Sequence, residues 1–182
     1  DPEARLAVVG LAPAAHGANR TGRMFTGDRS GEWLYRALHR AGFASRPTSE
    51  RAGDGLRLYD VWIAAPVRCA PPANKPTPDE FANCHPWLAD ELRLLPRLRV
   101  LVGLGRIGFE QACLTWCELH DVPAPRPRPK FGHGAIAGLP AGGWLVGSFH
   151  PSQQNTFTGK LTEAMFDEVW TKARELLERR EG

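Results

Sequence analysis

Four short runs of apolar, mostly branched residues divide the chain at regular intervals. They occupy residues 5–11, 58–67, 99–104 and 144–149. Apolar runs of this length without polar alternation are typical of strands that are buried on both faces of a parallel sheet. The pattern therefore predicts a mainly parallel sheet of four strands.

Segments with helical periodicity lie between and after the predicted strands. They predict a helix from a Ser30 cap to Ala41, a second that Thr77 caps and Pro78 opens, and two more over 108–119 and 161–177. Strands that alternate with helices form a parallel sheet covered on both faces. The fold class is therefore predicted as α/β, a three-layer α/β/α sandwich in a single domain over residues 1–182. The Pro-rich stretch 122–130 is predicted to be an extended connector inside that domain.

Composition narrows the setting of the protein. The chain of 182 residues has only four cysteines, which are too few and too scattered for a disulfide scaffold. No pattern of a signal peptide or a membrane span is present in the sequence. These features predict a cytoplasmic protein with reduced thiols and no membrane association.

Charge adds a weaker indication. The net charge of +3 is compatible with a polyanionic partner but does not establish one. Where the charges lie is more informative, because they occur in one loop and one connector that are predicted to border a crevice. These residues are Arg20, Arg23, Arg29, Arg126, Arg128 and Lys130. Scattered, solvated surface charge is the alternative interpretation.

Two loops rich in glycine and polar residues follow the first and last predicted strands. They occupy residues 10–31 and 150–159, and each contains histidine. The carboxyl ends of parallel strands meet at one edge of a sheet, where ligands bind in open α/β folds. The two loops are therefore predicted to form one site although they are far apart in sequence.

A Gly-x-Gly-x-x-Gly pattern at residues 103–108 follows a predicted strand and precedes a helix. This is the context of a dinucleotide-binding fingerprint. That fingerprint normally occupies the first strand-to-helix turn and is followed by an acidic residue about 20 positions later. Here the pattern follows the third strand. We therefore favour the interpretation that the glycines allow close packing of helix and strand, and a nucleotide-dependent oxidoreductase is the alternative.

Three motifs in order resemble the uracil-DNA glycosylase superfamily, most closely its family 5, or type b, enzymes. The first is Gly-Leu-Ala-Pro at 10–13 with His16 and the segments 19–23 and 25–28, the second spans 67–84, and the third is His150-Pro151-Ser152 with 154–156. The resemblance covers nearly the whole chain. It implies hydrolysis of the N-glycosidic bond of a deaminated base in DNA, which leaves an abasic site. The implied partner is double-stranded DNA with a flipped base, bound by a monomer.

The resemblance and the chemistry together assign roles to individual residues. Cleavage leaves an anionic base, so a donor must meet the developing negative charge, and His150 fits that role. Asp28 matches the carboxylate that assists water, and His16 is the second candidate for that role. The alternative role of Asp28 is a helix cap. Phe25 is expected to stack on the base, unless it is an ordinary core residue. The residues assigned to substrate binding are Gly10, Leu11, Ala12, Pro13, His16, Phe25, Asn74, Ser152 and Asn155.

Within this set, the backbone amides of residues 10–12 are expected to bind the pyrimidine carbonyls, and Asn74 to read the base edge or else to form a turn. The loop 153–158 resembles the wedge that fills the space of the flipped base, supplied by Phe157 or by the Gln153-Gln154 pair.

Two departures from better-known relatives bear on specificity. The first motif has no polar residue beside Pro13, and Ala64-Ala65 stands where narrow uracil enzymes carry an asparagine. The expectation is a tolerant pocket that also accepts hypoxanthine, ethenocytosine and oxidised pyrimidines such as hydroxymethyluracil. No lysine occupies a recognised nucleophile position, so the enzyme is expected to be monofunctional.

Cys69 and Cys84 match half of the ligands of a [4Fe-4S] cluster in this family. The resemblance places the other two in a Cys-x-x-Cys ahead of residue 1, in an N-terminal extension that this chain is expected to lack. Cys113 and Cys117 are interpreted as buried structural thiols, with a zinc site of all four cysteines as the alternative.

The alternative for the whole protein is a catalytically inactive nucleic-acid-binding module of the same fold.

Overall fold

The central sheet of the computed structural model, which describes residues 1–179, has five strands in the order β2-β1-β3-β5-β4. The strands are β1 (Leu6–Val9), β2 (Val61–Ala64), β3 (Val100–Leu104), β4 (Ile136–Gly138) and β5 (Trp144–Ser148). The first four in spatial order pair in parallel, and β4 pairs antiparallel with β5. The mainly parallel sheet is confirmed, and the predicted count of four is one short. The edge strand β4 escapes prediction because its three residues Ile-Ala-Gly are largely exposed and form no apolar run.

Six α-helices are found in residues 1–179. They are α1 (Ala18–Thr21), α2 (Arg29–Arg40), α3 (Pro78–Arg93), α4 (Gly105–Leu119), α5 (Gln153–Phe157) and α6 (Glu163–Glu178). Thr77 forms the predicted cap of α3 in a reciprocal capping box with Glu80. For α2 the predicted cap is wrong, since Asp28 and not Ser30 occupies that position. None of the helices described is long and apolar enough to cross a membrane.

The two faces of the sheet carry separate hydrophobic clusters, as a three-layer sandwich requires. Leu6 and Val8 on β1 pack in the cluster that contains α2 and α6. Ala7 and Val9, which alternate with them, pack in the cluster that contains α3 and α4. Because successive side chains of a strand point to opposite faces, one short strand contributes to both cores. The predicted α/β/α layering is confirmed.

Two glycines of the 103–108 segment let α4 lie directly on the sheet. A Cβ atom at Gly103 would collide with the backbone of Phe109, and one at Gly108 would collide with the carbonyl oxygen of Val9. The helix also begins three residues earlier than predicted, at Gly105, whose φ is +80°. These contacts support the packing interpretation of the glycine pattern.

Candidate functional site

A cavity of about 420 Å³ lies at the edge of the sheet where the parallel strands end. Its walls come from the loops after β1, β2 and β5 and from the start of α2. The lining residues are Leu11, Ala12, Ala14, Asp28, Arg29, Ser30, Asn74, His150, Ser152 and Gln153. The fold thus brings the two predicted loops into one site, as their position after parallel strands indicates.

Asp28 has two structural relationships at this site. Its Oδ1 accepts a hydrogen bond of 2.9 Å from the backbone N–H of Gly31, so the side chain caps α2. The same carboxylate lines the cavity, and its Oδ2 lies close to Gly17, where a Cβ atom would collide with it. Asp28 therefore caps α2 and lines the cavity at the same time.

His150 follows β5 by two residues and faces the same cavity. Its ring lies beside that of Phe25, and its Cβ lies near Gly105 at the start of α4. Burial lowers the pKa of His150 to about 4, although the negative charge of Asp28 opposes this change. The imidazole is therefore neutral at pH 7, with one nitrogen as donor and the other as acceptor.

Asn155 stabilises this loop from behind the cavity. Its Nδ2 donates a 2.8 Å hydrogen bond to the backbone carbonyl of His150. Ser152 lines the cavity and caps α5, where its Oγ accepts from the backbone N–H of Asn155 at 3.4 Å. Asn155 thus contacts the backbone that carries His150 and is absent from the lining of the cavity in the part of the chain described.

Phe25 is buried in the wall between the cavity and the core. Only 6% of it is exposed, and it belongs to the cluster of α2 and α6. A Cβ atom at Gly10 would lie 3.2 Å from the ring. The backbone of Phe25 is left-handed, with φ of +54°, which is unfavourable for a bulky residue. In this structure, therefore, the ring supports Gly10 and His150 and is not part of the cavity surface.

The other predicted binding residues divide into two groups. Leu11, Ala12 and Asn74 line the cavity, and Asn74 lies in a 3₁₀ turn with φ of +53°. Pro13 lines a separate cavity of about 300 Å³. His16 is exposed and is not among the lining residues, and its carbonyl accepts from Arg20 Nε at 3.3 Å. Of the two residues considered for assisting water, Asp28 lines the cavity and His16 does not.

Only part of the predicted positive charge lies at the cavity. Arg29 lines it, and its guanidinium lies 4.3 Å from the ring centroid of the exposed Phe157. Arg23 instead binds Asp54, and Arg128 lines a small separate cavity with Cys113. Sequence patterns do not indicate the contact between Arg29 and Phe157, because the two residues belong to different motifs.

The cysteines do not form a complete metal site among themselves. Cys69 is exposed and Cys84 partly buried, and both are free thiols. In residues 1–179 no group of three or more His, Cys, Asp or Glu side chains could hold a metal ion, so the four-cysteine zinc alternative is wrong for this part of the chain. Cys113 and Cys117 are buried in α4, where burial raises the pKa of the Cys113 thiol to about 11. This placement agrees with structural thiols.

Comparison with known proteins agrees with the motifs. The sequence profile of the "Uracil DNA glycosylase superfamily" matches residues 1–174. The chain is 54% identical over 176 residues to the type-5 uracil-DNA glycosylase of Thermus thermophilus, covering 97% of this chain and 77% of that protein. It is 53% identical over 173 residues to the type-5 enzyme of Mycobacterium bovis, covering 94% of this chain.

The type-5 enzyme of Pyrobaculum aerophilum is 42% identical over 173 residues, with 95% of this chain and 72% of that protein covered. The chain spans 63% of the length of the Mycobacterium bovis relative. The match of the profile over nearly the whole chain, together with these identities to type-5 members, shows that the chain belongs to the uracil DNA glycosylase superfamily.

Proposed function

We propose that this chain is a uracil-DNA glycosylase that hydrolyses the N-glycosidic bond of uracil and other deaminated bases in DNA and leaves an abasic site. One observation carries the proposal: Asp28 and His150 line the same cavity at the end of the parallel strands. A carboxylate and a neutral imidazole on one cavity can serve the two charges that develop when the bond between base and sugar breaks. The names of the type-5 relatives support the same reaction.

His150 is the proposed donor to the departing base. When the bond between the anomeric carbon and the base nitrogen breaks, its electron pair moves into the base and increases the negative charge on the pyrimidine oxygen. A neutral imidazole N–H can meet that charge without bringing a cation into the cavity. The low pKa of His150 supports this form of the residue, because the ring carries no positive charge at pH 7.

Asp28 is the proposed partner of the sugar and of water. The sugar becomes a cation as the base departs, and a carboxylate stabilises that cation electrostatically. Water then forms the new bond from its oxygen to the anomeric carbon and gives up one proton, which Asp28 accepts and passes to the solvent or the base. The cap on α2 supports the role because it fixes one carboxylate oxygen at Gly31.

We propose a broad substrate range that includes hypoxanthine, ethenocytosine and hydroxymethyluracil. The wall at Leu11 and Ala12 has no polar side chain, and Ala64 and Ala65 at the end of β2 are buried. This part of the wall offers a base no side-chain hydrogen bond, so it contributes little to discrimination between bases. We also propose that the enzyme leaves the strand intact, because no lysine lines the cavity in the described part of the chain.

The proposed partner is double-stranded DNA with the target base flipped into the cavity. Phe157 is 65% exposed beside Arg29, and an exposed ring at the rim can stack into the space that the flipped base leaves. The Gln153-Gln154 pair, of which Gln153 lines the cavity, is the alternative wedge. We further propose that the protein acts as a monomer in the cytoplasm, and the four scattered cysteines, too few for a disulfide scaffold, support a reducing compartment.

A [4Fe-4S] cluster is proposed for the full-length protein. Cys69 and Cys84 would supply two of its four thiolates, and both are unpaired and lie at or near the surface. Among the described residues, no group of three or more His, Cys, Asp or Glu side chains could hold a metal, so these residues do not supply the other two ligands beside Cys69 and Cys84. Iron and acid-labile sulfide in a longer protein, both lost in Cys69→Ser, would support the cluster, and their absence from that protein would refute it.

The test of the reaction is alkali-revealed cleavage of a duplex oligonucleotide that contains one uracil opposite guanine, with a hypoxanthine duplex alongside. The His150→Ala protein is the control for contaminating activity. Excision of both bases that disappears in the control would support the broad enzyme, and excision of uracil alone would refute the broad range. DNA binding without excision by both a longer protein and this chain would support the inactive binding module.

A further inference from the structure

A buried ion pair lies behind the turn that carries Phe25 and Asp28. The Asp54 side chain is 5% exposed. Its two oxygens accept hydrogen bonds from Arg23 Nη1 at 3.0 Å and from Arg23 Nη2 at 2.6 Å. Arg46 also forms an ion pair with Asp54 at 3.0 Å. The carboxylate accepts further bonds from the backbone N–H groups of Glu50, Arg51 and Leu56.

Arg23 extends this cluster to the turn. Its Nε donates to Thr26 Oγ1 at 3.1 Å, and its Nη2 donates to Ser49 Oγ at 2.8 Å. The hydroxyls of Thr26 and Ser49 are 2.6 Å apart, and Thr26 is fully buried. The planar guanidinium thus contacts Asp54 with one set of N–H groups and Thr26 with another. An arginine fork fixes such a geometry better than a single-point cation.

The turn needs this support because its backbone is unfavourable. Phe25 and Gly27 on either side of Thr26 have φ of +54° and +81°. A left-handed bulky residue persists only where its surroundings hold it. The hydroxyl of Tyr35 also donates to the carbonyl of Met24 at 2.8 Å, so the turn is held on both sides of Phe25. Asp28 comes directly after this turn.

The ion pair is charged under all conditions near neutrality. The hydrogen bonds from Arg23 hold the pKa of the Asp54 carboxyl well below its usual range, although burial opposes this effect. Removal of that charge would leave Arg23 in a largely buried position without its main counter-ion, which is costly. The guanidinium would then be free to move away from Thr26 and Ser49.

From these contacts we infer that Asp54 is a positioning residue for the reaction. Through Arg23 and Thr26 it holds the turn that places the ring of Phe25 against His150 and that places Asp28 in the cavity. Asp54 is not among the residues that line the cavity. The catalytic part of this inference rests on the proposed function.

Asp54→Asn tests the inference because it keeps the side-chain size and removes the charge. We expect the single-turnover rate of uracil excision at saturating protein to fall about 10- to 100-fold, since a 1 Å displacement at a reacting group can cost about 100-fold. The Kd for the uracil duplex should stay the same, because Asp54 does not face the cavity. A folded Asp54→Asn protein with the wild-type rate would overturn the inference.

Asp60→Asn is the matched control. Asp60 also receives hydrogen bonds from one arginine, with Arg5 Nε at 2.8 Å, but it lies at the opposite end of the strands from the cavity. It should leave the excision rate unchanged. An equal fall in rate in both variants would show a general structural effect and overturn the positioning role. If Asp54→Asn does not fold, Ser49→Ala tests the inference instead. We expect a smaller but measurable fall in the excision rate, and an unchanged rate would overturn the inference.

A second measurement needs no substrate. The amide of Gly31 donates to Asp28 Oδ1, so its hydrogen exchange reports how firmly Asp28 is held. We expect faster exchange at Gly31 in Asp54→Asn and no change in Asp60→Asn, and unchanged exchange in both would overturn the inference. If neither this chain nor a longer protein excises a base but Gly31 responds in this way, the proposed function fails while the positioning of Asp28 by Asp54 stands.

Discussion

The rings of Phe25 and His150 lie side by side, with their centroids 5.8 Å apart and their planes inclined by 33°. This contact is part of the environment in which burial lowers the pKa of His150. Because a charged imidazole loses more hydration than a neutral one, the contact favours the neutral form. Phe25 is a core residue, and it thus adds to the burial that keeps His150 neutral.

Replacement of His150 by alanine should lower the excision rate about 100- to 1,000-fold. The reason is the loss of a donor to the developing anion, which is typically worth about 3 to 4 kcal/mol. Single-turnover kinetics on the uracil duplex measure the effect, and gel-shift titration should show little change in Kd. His39→Ala, which removes an exposed histidine on α2, should retain the wild-type rate. An active His150→Ala enzyme would remove His150 from the mechanism.

The low pKa of His150 should also make the stability of the fold depend on pH. The pKa of His150 is about 4 in the folded chain and about 6.5 in the unfolded chain, so only the unfolded chain binds this proton between those values. The free energy of unfolding should therefore fall as the pH decreases from 6.5 to 4, by up to about 3 kcal/mol at about 1.4 kcal/mol per pH unit. Urea denaturation at several pH values measures this change in the free energy of unfolding.

His150→Gln is the control for this pH effect, because glutamine does not titrate. The variant should lose less stability than the wild type over the same pH range. Parallel curves for the two proteins would mean that other groups cause the acid sensitivity.

Two substitutions separate the roles of Asp28. Asp28→Asn keeps a good helix cap and loses the charge, so we expect excision to fall while the Tm is unchanged. Asp28→Ala loses both and should also cost about 1 kcal/mol of stability. Thr162→Ala, which removes the cap of α6, should cost a similar amount without affecting the excision rate. Full activity of the asparagine variant would restrict Asp28 to its structural role.

Local sequence patterns predicted the main layers well. The buried strands and the Thr77 cap depend on neighbouring residues, which a single sequence displays. The pairing of Arg23 with Asp54 does not, because it joins two loops 31 residues apart that meet only after folding. For the same reason, the motif did not reveal that the ring of Phe25 packs against Gly10 and His150. Motifs identify the residues of a site more readily than their orientation.

Gly108→Ala should destabilise the fold by about 1 to 3 kcal/mol, since the added methyl group would collide with the carbonyl oxygen of Val9. Gly132→Ala is the control, because its Cβ would make only an ordinary 3.7 Å contact. Thermal unfolding measures the stability of both variants.

The wild-type protein should also show no NAD(P)H binding by fluorescence titration, and saturable binding would restore the dinucleotide interpretation of residues 103–108.

The cavity draws on segments that are far apart in the chain, from Leu11 near the start to Gln153. During synthesis, the ribosome releases β1 and Asp28 long before β5 and His150. A chain that is still incomplete at that stage has no His150 imidazole in the cavity with Asp28. Under the proposed function, the order of translation itself keeps the activity off until the last strand has joined the sheet.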